Sequence, residues 1–156
     1  MNFLLTLIIS SVMAQAEDLE HLRIASWESR VPNIVICNGA DIEPELVERA
    51  VDAWRARGES VGSVSEKSCA SRPNRGEIAF YVTNDLKYSS SSGEAVRNVF
   101  KNPDGSWSND INHARIYIRP QHVDNYFLIE HELGHAFGFL DTGDRTSVMS
   151  RVVDSH

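Results

Sequence analysis

A chain of 156 residues, 42% hydrophobic and 24% charged, with a net charge of −7, has the composition of one soluble globular domain. An acidic chain without a basic stripe lacks the electrostatic footprint of a nucleic-acid binder, which excludes that class of partner. Repeats and low-complexity tracts are absent, so a repeat architecture is excluded as well.

Residues 1–16 read as a secretory signal: 3–13 form an apolar run too short for a spanning helix, and Ala14-Gln15-Ala16 is an A-x-A cleavage pattern. The n-region lacks Lys and Arg, so a buried N-terminal helix or a retained anchor is the competing reading. Cleavage after Ala16 leaves 156 − 16 = 140 residues, a single domain over 17–156, secreted or periplasmic and without a stable membrane span. In an oxidising compartment Cys37 and Cys69 most simply form one disulfide, the alternative being two buried thiols.

Residues 31–37 (V-P-N-I-V-I-C) read as the first strand, ended by Asn38-Gly39. Asp41 is the candidate N-cap of a helix reaching about Arg57, with Glu43 and Glu45 at its positive end. Leu46, Val47, Ala50, Val51 and Trp54 repeat at helical spacing, and Gly58 stops the run. A second strand is expected over 61–65 and a central one over 77–83 (E-I-A-F-Y-V-T). The serine run 89–93 is a loop, and Asn102-Pro103-Asp104-Gly105 is turn chemistry joining 95–100 to a strand from Trp107. Residues 114–118 read as the last strand before a helix capped by Asp124 or Asn125. Trp54 and Trp107 are read as core or cleft packing. His113 and His122 are weighed as a second zinc site against structural or solvent-facing roles, and His21 and His156 are expected to be disordered near the termini. The aspartates at 104, 110, 141 and 144 lack EF-hand spacing and read as solvated turns, apart from the metal reading of 141 and 144 given next.

The chemistry concentrates in H-E-L-G-H-A-F-G-F-L-D, residues 131–141. At about 100° per residue, His131 and His135 stand about 40° apart on one helix face, so both imidazoles can reach one Zn²⁺. Glu132, about 60° from His135, can touch a zinc-bound water without being a ligand, the position of a general base. Ile129, Leu133, Ala136 and Phe137 form the opposite, apolar stripe, and Gly138 can end the helix in a left-handed turn. That turn brings Asp141 back as third ligand, with Asp144 as the alternative. Three protein ligands leave a fourth position for water, which is a catalytic set. The bland reading of the two histidines is a pair of solvated or core residues.

These residues resemble the metzincin clan of zinc endopeptidases, whose pattern is H-E-x-x-H-x-x-G-x-x-H followed by a Met-containing turn. Ser147-Val148-Met149 is similar to the matrixin Met-turn, and by resemblance Met149 is the floor under the metal. Asp141 in the third ligand position resembles the snapalysin-like branch of small secreted metzincins. The resemblance implies an α/β (α+β) fold: a twisted mixed sheet, two main helices and the catalytic helix under the sheet; in a departure from the family's usual longer lobe, a very short C-terminal lobe is expected here. Seven residues follow Met149 (156 − 149 = 7), so the wall of the S1′ pocket does not carry over. It further implies that 95–100 is an edge strand that pairs with extended substrate. The expected function is secreted, zinc-dependent hydrolysis of peptide bonds in peptide or protein substrates. A zinc-bound but catalytically silent peptide-binding module is the alternative.

Overall fold

The computed structural model describes residues 17–87 and 91–151. The signal-peptide reading and His156 therefore lie outside the described residues. Seven main elements follow in order: β1 (Asn33–Cys37), α1 (Pro44–Ala56), β2 (Val64–Lys67), β3 (Glu77–Val82), β4 (Gly93–Lys101), β5 (Trp107–Ile118) and α2 (Tyr126–Phe137). Short 3₁₀ turns occupy Glu20–Leu22 and Pro120–His122.

The strands form one five-stranded mixed sheet in the order β2-β1-β3-β5-β4. β1 runs parallel to β2 and β3, and β3 parallel to β5; β4 is antiparallel to β5 and forms one edge. Alternation along each strand sends one set of side chains to each face. Ile34, Ile36, Ile78, Phe80, Ala114, Ile116 and Ile118 join the core that holds α1 and α2, while Val35, Cys37 and Ala79 cluster on the other side. Both helices therefore cover one face. Trp54 of α1 is fully buried there, stacked on Phe139 and tilted against Phe137. Its indole N–H donates to the Glu130 carbonyl at 2.8 Å, which fixes α1 against α2.

Cys37 and Cys69 are disulfide-bonded, tying the end of β1 to the chain beyond β2. Among the described residues no helix is long and apolar enough to cross a membrane.

Several local expectations need correction. Asp41 does not cap α1: it sits in a left-handed turn at φ 52°, and Glu43 precedes the helix without a side-chain cap. Pro44 decides the start, because its ring fixes a helical φ and holds the residue before it extended. The second strand begins at Val64 instead of 61, since Gly62 N–H bonds the Pro32 carbonyl and Ser63 N–H bonds the Asn33 side chain before pairing starts. The stretches from Trp107 and 114–118 are one continuous strand, because 109–112, where Asn109, Asp110 and Asn112 are poor strand formers, is held in place by β4 and by the Ser26 backbone. Trp107 is 69% exposed at the turn end of the hairpin, with the Lys101 ammonium 5.6 Å from its ring centre, so it packs neither core nor cleft. His21 lies in an ordered, exposed 3₁₀ turn.

Candidate metal centre

The helix that carries the motif is specified at both ends. The Asn125 side chain accepts the Leu128 N–H at 3.1 Å, a cap that satisfies one of the unpaired first-turn donors. Gly138 ends the helix at φ 109°, and a Cβ there would lie 1.8 Å from the Ala25 carbonyl oxygen. Ile129, Leu133, Ala136 and Phe137 are fully buried against the sheet and α1, as their spacing predicts. Each of the larger three contributes about 1.5–3 kcal/mol by leaving water.

The last carbonyls of any helix lack partners within it. Here three side chains from elsewhere supply them: Arg97 of β4 donates to His135 O, Trp27 to Ala136 O and Arg23 to Phe137 O. Two of the three are cations at the negative end of the helix dipole.

Beyond Gly138 the chain is fixed from two sides. Leu140 N–H bonds the Leu22 carbonyl at 2.9 Å, and Thr142 N–H bonds the Met149 carbonyl at 2.8 Å. Between these anchors Asp141 turns back over the helix. Its Oδ1 lies 3.3 Å from His131 Nε2 and 3.1 Å from His135 Nε2. Asp144 is elsewhere and exposed, its carboxylate accepting the Thr146 N–H at 2.9 Å and hydroxyl at 2.8 Å. His131, His135 and Asp141 are thus the group that converges.

The outer nitrogens of the two rings settle their tautomers. His131 Nδ1 lies 3.0 Å from the Val148 carbonyl and His135 Nδ1 lies 2.9 Å from the Phe139 carbonyl. A carbonyl only accepts, so each Nδ1 carries a hydrogen, and in the neutral ring each Nε2 is left with a lone pair. Burial, above all, and the neighbouring His135 push His131 below its ordinary pKa, favouring the neutral ring. With both rings neutral, two lone pairs meet a carboxylate oxygen with no proton between them, an arrangement that a cation relieves.

Size and chemistry test which cation. Tetrahedral bonds of about 2.0–2.1 Å put ligand atoms about 3.3 Å apart, close to the contacts seen, whereas calcium prefers all-oxygen sites with longer bonds. Two imidazoles and a carboxylate suit a zinc-type ion.

Glu132 lies beside this group. It is 5% exposed, and its Oε2 has no hydrogen-bond partner among the described residues. Burial first, then the Asp141 and Glu94 charges, push its carboxyl up to about 8. Beneath the helix, Met149 is fully buried, and a Cβ at Gly134 would stand 2.2 Å from its sulfur. The turn that carries Met149 also supplies the Val148 carbonyl that orients His131.

Sequence reading missed the supports: Val148 O, Phe139 O, Arg97, Trp27 and Arg23 act through backbone carbonyls or long-range contacts, which leave no spacing pattern. Gly93 was read only as the end of a serine loop, yet it begins β4 directly over Glu132, where a Cβ would lie 3.0 Å from Oε1. His113 and His122 join no group of potential metal ligands among the described residues. No protein-family model matches the chain, and no curated protein matches it either.

Proposed function

We propose that this chain is an exported, zinc-dependent endopeptidase of metzincin type, hydrolysing peptide bonds in peptide or protein substrates. One observation carries the reading: two imidazole Nε2 atoms and the Asp141 carboxylate converge beside a buried carboxyl, Glu132, whose Oε2 has no hydrogen-bond partner among the described residues. His131, His135 and Asp141 would hold the ion. When bound, zinc lowers the pKa of its water toward neutrality and polarises a substrate carbonyl.

The chain's own residues do the rest. The Glu132 carboxyl, poised by burial near neutral pH, takes a proton from attacking water and returns it to the leaving amine. That value describes the protein alone; a nearby dication draws it down, toward the ionised base that the first step requires. The Val148 and Phe139 carbonyls hold both rings in the ligating tautomer. β4 is an edge strand, so an extended peptide can add to it and lie across the group. Met149 gives His131 and His135 an apolar floor that excludes water from below. The disulfide suits an oxidising, extracytoplasmic compartment.

The test is the Glu132→Gln variant, which keeps volume and removes the base. It should retain zinc at one ion per chain while cleavage of denatured casein falls by about 10²–10⁴-fold or more. Wild-type cleavage should disappear with a chelator and return with zinc. A variant with full activity rejects the assigned role, and a wild type that holds zinc without cutting is the silent peptide-binding module.

A further inference from the structure

The sheet face turned away from the helices carries a second concentration of unmet polarity. Arg115 pairs across the sheet with Ala79, which belongs to that face, and His113 two residues earlier shares it. On β4, Asn98 stands opposite His113 and Val96 opposite Arg115. His113 is only 2% exposed, and its surroundings are burial and the Arg72 and Arg115 charges, with no hydrogen bond to offset them. Beside it, Asn98 Nδ2 and Arg115 Nε are buried donors without a partner among the described residues. An unmet buried donor costs about 1–3 kcal/mol, so two such donors beside the buried His113 form an unstable arrangement unless something accepts from them.

Charge points to the acceptor. Arg72 and Arg75 lie on the loop that precedes β3, and the Arg75 guanidinium reaches 4.6 Å from the Phe100 ring centre of β4. Arg72, Arg75 and Arg115 make no ion pair with any described carboxylate, in a chain that carries 22 acidic against 15 basic residues. The nearest acid on β3, Glu77, is already engaged by Lys67 and Asn74. Donors approach from two strands and a loop. That suits an acceptor with oxygens in several directions better than a single planar carboxylate.

We propose that Asn98, His113 and Arg115, with Arg72 and Arg75 at the rim, form a binding site for a tetrahedral oxyanion of the phosphate or sulfate class. A free ion and an ester borne on a larger molecule present the same oxygens, and the experiment separates the two. The site lies on the opposite side of the sheet from the metal group and does not depend on the protease reading.

The experiment uses the purified protein with inorganic phosphate, inorganic sulfate and a heparin-derived oligosaccharide as separate probes, at constant ionic strength set by chloride. Side-chain N–H signals of Arg115 and Asn98 should shift saturably in NMR titrations. Arg115→Gln should weaken the response about tenfold or more. Arg72→Gln, on an exposed loop, should weaken it without disturbing the sheet, which guards against a variant that merely misfolds. Response to the inorganic ions assigns a free anion, while response to the oligosaccharide alone, reduced in Arg72→Gln, assigns an ester. No saturable shift with any probe, or equal shifts in wild type and both variants, overturns the proposal.

Discussion

Two glycines decide how closely other groups approach the motif. Gly93 starts the edge strand where a Cβ would meet Glu132 Oε1 at 3.0 Å and Cγ at 3.1 Å. Such contacts are tight but yield to a shift of a few tenths of an ångström, and the mobile partner is the carboxyl itself. Gly93→Ala should therefore leave zinc content and thermal stability near wild type while kcat falls about tenfold, because catalytic groups tolerate little displacement. Unchanged kcat would show that Glu132 has room to spare. Gly134 faces a different wall. A Cβ there would stand 2.2 Å from Met149 Sδ and 2.6 Å from Trp54 Cζ2, both fully buried. Neither can retreat without opening the core, so Gly134→Ala should cost about 1–3 kcal/mol, read as a lowered thermal midpoint. The first substitution tests chemistry and the second tests packing, though both glycines lie within the same few residues of the site.

At the scale of elements, the segment 19–26 acts as a strap around the C-terminus of α2. Leu19 is buried, Ile24 N–H bonds the Gly138 carbonyl, and Arg23 pairs with Phe139 in an isolated bridge. The Arg23 guanidinium binds Glu20 and Glu59 and lies 4.2 Å over the Phe139 ring. Phe139 in turn offers the carbonyl that orients His135. Arg23→Met should thus weaken zinc binding by about 10–100-fold, as loss of an outer support does, without abolishing it. Competition against a chromophoric chelator measures this, and an unaltered affinity would reduce the strap to a packing element. The strap also marks the limit of what the sequence discloses. Helix α2, its Asn125 cap and its Gly138 stop were legible because each rests on local chemistry within one or two turns. So were the β4–β5 hairpin and the central strand β3, which declare themselves by turn residues and β-branched or aromatic runs. The start of α1, the start of β2 and the unity of β5 were misread because Pro44, Asn33 and Ser26 settle them. The first is a local signal outweighed by Asp41, and the other two are partners distant in sequence. Convergence of Asp141 on both rings was an inference from spacing to Gly138; only the folded chain supplies the two anchors that hold it.

For the whole molecule, the two edges of the sheet are treated differently. At the β2 edge, Lys67 at the end of the strand reaches across to Glu77 at the start of β3, and the disulfide joins Cys37 of β1 to Cys69. At the other edge, β4 has a strand neighbour on one side only. Both edge strands have one strand neighbour, and these ties hold the β2 edge, while β4 begins over Glu132 and is the edge proposed to take an extended peptide. The locked edge makes its own predictions. Glu77 titrates below its ordinary value: burial opposes this, but the bonds from Lys67 and Asn74 outweigh it. A depressed carboxyl adds stability that is complete above its unfolded pKa and lost as pH falls through the folded one. Lys67→Met should therefore flatten the acid limb of a stability–pH curve, below the ordinary carboxylate value of 4.5, and leave the neutral region's slope alone. The disulfide spans a sequence separation of 32, which constrains the unfolded chain by about 3–4 kcal/mol. Replacing both cysteines by serine should lower the thermal midpoint by roughly 10 °C. Its cluster lies on the face opposite α2, with no contact shared with the metal group. Distant sites add independently, so zinc affinity at a temperature where the variant remains folded should equal that of wild type. A parallel loss of affinity would mean that the locked edge and the metal group are coupled through the sheet, and that the division of labour between its two edges is wrong.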